Sequence, residues 1–153
     1  MKAEYLNSVI VSVTDVIRKI FDTEVQKENP YVFHHDANVN HLAAVIQMHG
    51  EKKGAFVLSL SEEVAKKLAS NILNEDKKHI DRDVIDVIGE LINMISGSTK
   101  GLLSQLGFTF KFSTPTYVLG KGTRLLKDDE YAPYICIPFT SKYGRFTIMV
   151  SLR

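Results

Sequence analysis

Three things are scarce in this chain: cysteine, net charge and any long apolar run. The single cysteine, Cys136, sits inside the run YICIPF, so no disulfide can form within the chain. A reducing compartment and a small buried hydrophobe are the natural readings of such a residue. Nineteen basic residues face eighteen acidic ones, a net charge of +1. No overall field remains to hold nucleic acid or an anionic lipid surface, so neither is expected as a partner. No stretch reaches the roughly 20 apolar residues of a membrane span, and no membrane insertion is expected. The opening MKAEYLNSVIVSVTDVIRKIF lacks the apolar core and small-residue cleavage site of a secretory signal. The expected location is the cytoplasm.

Chemical signatures are also few. LGKGT at 119–123 looks superficially like a phosphate-binding loop, but Gly122 follows Lys121 where Ser or Thr is required. It reads as a turn between strands. His34 and His35 are adjacent in a loop, and His41, His49 and His79 have no spacing that gathers ligands, so no metal site is expected. No Ser–His–Asp arrangement can be argued.

What is present is a protein of 153 residues, 44% apolar and 24% charged, with no linker or low-complexity segment. It reads as one domain, residues 1–153, large enough to bury a core. Residues 5–21 have helical periodicity, with Leu6, Ile10, Val13 and Ile17 on one face. A polar stretch follows, DTEVQKENPYVFHHDANVN, with Pro30 as its strongest breaker. HLAAVIQMHGEKKGAFVLSLS reads as a hairpin whose polar turn ends in Gly54. Ser61 is placed to cap a helix over EEVAKKLASNIL. The charged connector NEDKKHIDRD leads to a long helix that Gly107 is placed to end in the left-handed conformation. FTFKFSTPTYVLGKG, a loop around LLKDDEYA and a last hairpin, PYICIPFTSKYGRFTIMVSLR, complete the chain.

A repeat is present. AVIQMHGEKKGAFVLSL matches ICIPFTSKYGRFTIMVSL, pairing Gly54 with Gly144, Phe56 with Phe146 and Leu58 with Ile148. A shift that lays the first helix on the long one also places Pro30 on Pro115. The pattern predicts an α/β (α+β) fold of two helix–strand–hairpin halves related by a pseudo-twofold axis, with long helices packed on a mainly antiparallel sheet. In this alignment Glu90 falls on Tyr5 and Asn93 on Ser8, so only one half can carry whatever Glu90 and Asn93 do together.

The long helix, DVIGELINMISGSTKGLLSQLG, raises the functional question. At about 100° per residue, Val84, Ile88, Leu91, Ile92, Ile95, Leu102 and Leu106 share one face. Asp86, Glu90, Asn93, Gly97 and Lys100 line the other. Glu90 and Asn93, three residues apart, are neighbours on the helix surface. A carboxylate grips a cation, and an amide both donates and accepts hydrogen bonds. The pair suits orienting a water beside a positive group, as in phosphoryl hydrolysis. Ser96 and Gly97 keep the next turn low for a close-approaching surface. Alone, a Glu and an Asn on an exposed helix are ordinary solvated residues.

The wider pattern is more specific. This helix followed by Pro115 closely resembles the signature of the CheC, CheX and FliY chemotaxis phosphatases: Asp or Ser, three residues, Glu, two residues, Asn, about twenty-two residues, Pro. Here it reads Asp86, Glu90, Asn93, Pro115, with twenty-one residues before the proline. GELINMISGSTK is most like CheX, and the likeness extends to KGAFVLSLSEEVAKKLASNIL, YVLGKG and IPFTSKYGRFTIMVSL. A single copy of the motif also favours CheX over CheC. The resemblance implies a CheC-like fold and hydrolysis of the aspartyl phosphate of a CheY-like response regulator. It implies that Glu90 engages the regulator's active-site lysine and Asn93 orients the attacking water. The regulator would bring the Mg²⁺, and this chain would bind no cofactor. Asp86, Gly97 and Lys100 would belong to the docking surface, and Pro115 would be a structural turn beside the site. A non-catalytic binding module of the same fold, docking on a regulator or flagellar switch component, is the alternative. The resemblance also implies a homodimer. The sequence adds that the terminal strand RFTIMVSLR, with few charges and no proline, would be poorly protected at a sheet edge.

Overall fold

A computed structural model of the chain describes residues 3–33, 42–120 and 133–152. In chain order the elements are α1 (Ala3–Phe21), β1 (Gln26–Lys27), β2 (Tyr31–Phe33), β3 (Leu42–Gly50), β4 (Gly54–Leu60), α2 (Glu62–Leu73), α3 (Arg82–Gln105), β5 (Phe110–Phe112), β6 (Thr116–Leu119), β7 (Tyr134–Ser141) and β8 (Gly144–Leu152). One antiparallel sheet takes the order β1-β7-β8-β4-β3-β5, with β2 also on β7 and β6 also on β3. The short strands of each half therefore pair with the hairpin of the other.

The two halves use their short strands in the same way. Tyr31, Val32 and Phe33 oppose Cys136, Ile135 and Tyr134, and their counterparts Thr116, Tyr117 and Val118 oppose Val45, Ala44 and Ala43. Leu58 and Ile148, matched in the sequence repeat, lie directly opposite each other where β4 meets β8. Pro30 and Pro115 each stand just before the second short strand of their half.

Local chemistry sets the helix ends. Ser61 caps α2, its side chain accepting from the Val64 N–H at 3.2 Å, and Asp81 caps α3 through the Val84 N–H at 3.0 Å. Gly107 follows α3 with φ +91°, and its N–H and that of Phe108 reach back to the Ser104 and Leu103 carbonyls. That is a Schellman ending, which a residue without a β-carbon adopts at little cost. Lys77 ties the α2–α3 connector down, 2.7 Å from Asp81, 3.6 Å from Glu75 and 3.7 Å from Asp83. The Lys77 partnership and the Val84 N–H both hold the Asp81 carboxyl below its usual range.

The main core lies between the helices and one sheet face, where Phe56, Phe139, Phe146 and Ile148 meet Val13, Ile17, Ile88 and Ile92. A smaller cluster on the other face includes Val45, Val57, Cys136 and Met149. β4 is consequently buried along its whole length. Burial raises the Cys136 thiol pKa, as expected of a packed thiol and not a reactive one.

The structure differs from the sequence reading in three places. The polar stretch after α1 contains two strands, β1 and β2, of two and three residues with largely exposed side chains, too short for a visible alternation. β8 is not an edge strand: it lies between β7 and β4, so the edge argument for dimerisation fails. Leu106 is the residue after the last turn of α3 and is 52% exposed, while Leu103 takes the core position. Tyr5 and Ser8, the alignment partners of Glu90 and Asn93, are buried. Tyr5 packs edge-on against Phe108, with ring centroids 4.8 Å apart. The first helix therefore presents no surface at the positions equivalent to Glu90 and Asn93. His34, His35, His41, Lys121, Gly122, Thr123 and the loop around LLKDDEYA lie outside the described residues.

Candidate active site on helix α3

The polar line of α3 faces solvent along its length: Asp86, Glu90, Asn93, Gly97 and Lys100 are all exposed, while Val84, Ile88, Leu91, Ile92 and Ile95 are buried. The core side chains fix the rotation of the helix, and so decide which residues the line contains. Among the described residues, no hydrogen bond or ion pair engages the side chains of Asp86, Glu90 or Asn93. Two carboxylates and an amide are thus held on a rigid element with their bonding capacity unspent.

Gly97 continues the line one turn on, and a β-carbon there would meet nothing within 4 Å. The protein's own packing therefore does not require a glycine at this position. Lys100 stands at the far end, about 15 Å along the axis from Glu90 at 1.5 Å per residue. Its ammonium lies 5.9 Å from the centre of the Phe112 ring on β5. It sits too far along the helix to act beside Glu90.

Pro115 occupies the junction of β5 and β6. Ser113 anchors that junction on β3, its N–H donating to the Gln47 carbonyl and its hydroxyl accepting from the Gln47 N–H, both at 2.9 Å. Proline has no N–H to lose at such a break and fixes the turn. Two residues on, Tyr117 pairs with Ala44, whose side chain belongs to the helix-side core. Tyr117 therefore points toward α3, and its hydroxyl occupies the place that a β-carbon on Gly89 would need. Burial, and then the Asp86 carboxylate, raise the phenol pKa, so it remains a protonated donor at neutral pH.

The sequence reading singled out neither Gly89 nor Tyr117. A glycine inside the apolar face of a helix, directly before Glu90, was the available sign of a close approach. The other flank of the line is an apolar groove between α1, α2 and α3, also missed, because three separate segments form it. Among the described residues, no group of three or more His, Cys, Asp or Glu side chains could hold a metal ion. None of their helices is long and apolar enough to cross a membrane.

The architecture is that of the CheC-like fold. A CheC-like superfamily protein from Shewanella sp. PV-4 superposes with a TM-score of 0.88 at 29% identity, over 100% of this chain and 99% of that one. More particularly, the chain belongs to the chemotaxis phosphatase CheX family, whose model matches residues 42–140. The CheY-P phosphatase CheX of Thermotoga maritima is 29% identical over 126 residues, 82% of this chain and 81% of that protein. At 17% identity, CheX in the CheX–CheY–BeF₃–Mg²⁺ complex from Borrelia burgdorferi retains the fold, with a TM-score of 0.78 over 97% of each chain.

Proposed function

We propose that this chain hydrolyses the aspartyl phosphate of a CheY-like response regulator, with Glu90 and Asn93 as the working pair. The observation that carries this reading is their adjacency on an exposed, rigid helix face with no competing partner among the described residues. Glu90 engages the lysine beside the regulator's phosphorylated aspartate, a charge-assisted contact that fixes the helix in register. Asn93 then holds a water in line with the phosphorus, its amide oxygen accepting a hydrogen bond from the water so that the water's lone pair faces the phosphorus. The attacking oxygen bonds to phosphorus as the aspartyl oxygen leaves, giving inorganic phosphate and a free carboxylate. In such a transition state alignment and electrostatics supply most of the catalysis. Mg²⁺ brought by the regulator would offset charge on the phosphoryl group, and the Borrelia complex of CheX with CheY contains beryllofluoride and Mg²⁺. Asp86 and Gly97 extend the docking surface, and Lys100 marks its far end. Pro115 fixes the turn that brings Tyr117 against the helix.

The direct test is the decay of phosphorylated regulator in the presence of a catalytic amount of this chain. Each molecule clearing many regulators supports hydrolysis, whereas tight binding with unaltered decay identifies a binding module instead.

Gly97 offers a second test. Gly97→Ala is expected to stabilise the protein by roughly 0.5–1 kcal/mol, because glycine inside a helix costs about that much. The melting temperature should rise by about 2 °C. If a regulator docks closely over this turn, the same change raises KM several-fold. A more stable variant with wild-type KM would remove Gly97 from the docking surface.

We also propose a homodimer. With β8 central, the outer strands among the described residues are β1 and β2 on one side and β5 and β6 on the other, and Tyr31 and Val32 of β2 are exposed. Light scattering at micromolar concentration should give twice the 17.2 kDa of one chain. A monomer with full activity would refute the dimer and leave the hydrolysis reading intact.

A further inference from the structure

Beside Glu90 the three helices leave an open groove of about 420 Å³. Its walls are Ile20 from α1, Ile72 and Leu73 from α2, and Val87, Leu91 and Met94 from α3. Ile72 is 43% exposed and Met94 is half-buried, so apolar surface is left wet that the protein's own packing does not cover. Three carboxylates, Asp83, Asp86 and Glu90, also line the groove, and among the described residues no cation does. Asp83 is satisfied by Lys77, 3.7 Å away. Asp86 and Glu90 are not paired among the described residues.

A pocket of this size takes one or two side chains, with polar groups at its rim setting orientation. An apolar floor below two unneutralised carboxylates is complementary to an apolar side chain that stands next to a cation. Glu90 belongs both to the groove and to the catalytic line, so a partner whose cation meets Glu90 necessarily covers the groove. Met94, unbranched and adaptable, suits a wall that must fit a surface from another chain.

We propose that this groove is the anchoring pocket for the response regulator, taking an apolar side chain that neighbours the lysine engaged by Glu90. The inference rests on the proposed phosphatase reading and adds where affinity comes from. The groove supplies binding energy, and Asn93 supplies rate.

The test uses the receiver domain, from the same organism, whose phosphoryl group the wild-type chain removes fastest. It is titrated in its beryllofluoride–Mg²⁺ form against wild type, Ile72→Asp and Met94→Gln. Ile72 is exposed enough for the first change to leave folding intact, and Met94→Gln keeps side-chain length should it not. Each variant is expected to raise Kd about tenfold, or about 1.4 kcal/mol. Turnover at saturating phosphorylated regulator should stay within about twofold of wild type, since the chemistry is untouched. Wild-type Kd in both variants, with an active wild-type protein, would overturn the groove and leave the phosphatase reading standing. So would dissociation of a dimer by Ile72→Asp at unchanged Kd, which would give the groove to a second copy. Binding without turnover in the wild type would refute hydrolysis alone, and the Kd comparison would still judge the groove. No binding and no turnover with any receiver domain would overturn both.

Discussion

Replacing Asn93 by alanine is expected to slow dephosphorylation of the regulator about a hundredfold while leaving the fold and the docked complex intact. The expectation follows from what Asn93 does not do in the free protein. Its side chain is exposed and makes no hydrogen bond to any other described residue, so its removal breaks no contact among them. Alanine is also the better helix former, so stability should hold or rise slightly. What is lost is one positioning contact to the attacking water. A contact realised chiefly in the transition state is worth on the order of 2.7 kcal/mol, which is the hundredfold. The loss should fall on kcat, with KM and the Kd for the beryllofluoride form nearly unchanged. Asn93→Asp keeps the size and an acceptor oxygen but places a negative charge beside a phosphoryl group. It should be no better than alanine. A purified Asn93→Ala protein that turns over within about threefold of wild type would remove Asn93 from the mechanism, because no single positioning contact is that weak.

The polar line was legible in the sequence because one helix carries it. Periodicity alone put Asp86, Glu90, Asn93, Gly97 and Lys100 on one face, and the core positions Ile88, Leu91, Ile92 and Ile95 hold them there. The hairpins were legible for the same reason: alternation and turn residues are local. The halves and their relation were legible through Gly54, Gly144 and the two prolines. Sheet order was not. RFTIMVSLR looks like an unprotected edge, yet its near-continuous burial is what a central strand requires. That pairing depends on how two halves meet, not on the strand itself. Tyr5 and Ser8 show the same limit. A shift that aligned the prolines placed exposed Glu90 and Asn93 on buried Tyr5, which packs against Phe108, and on buried Ser8, whose hydroxyl donates to the Glu4 carbonyl. The groove beside Glu90 was illegible because its walls lie more than fifty residues apart in the chain, at Ile20 and Ile72.

Glu90→Ala should differ in kind from Asn93→Ala, lowering affinity and rate together. A carboxylate paired with a lysine on another protein is worth roughly 1.5–3 kcal/mol, so kcat/KM should fall between about tenfold and a hundredfold or somewhat more. Part of that is docking, since the charge pair contributes to the complex before any bond breaks. Part is rate, because the same contact sets the register from which Asn93 reaches the water. Salt separates the electrostatic share. At physiological ionic strength the Debye length is about 8 Å, so attraction between exposed charges weakens steeply as salt rises. Wild-type affinity should therefore decline with added salt more than that of Glu90→Ala. Glu90→Gln should share the shallower salt dependence while keeping side-chain length and one acceptor. Asp86, one turn earlier and equally exposed, is retained in both variants, and its field should leave a residual salt dependence. The apolar groove beside it is insensitive to that screening. Affinity that survives at high salt in Glu90→Ala is then the groove's contribution, and it should fall about tenfold further when Ile72→Asp is added. Unchanged Kd and an unchanged salt profile in Glu90→Ala would mean that Glu90 meets no cation on the regulator, and another residue would have to set the register of the helix.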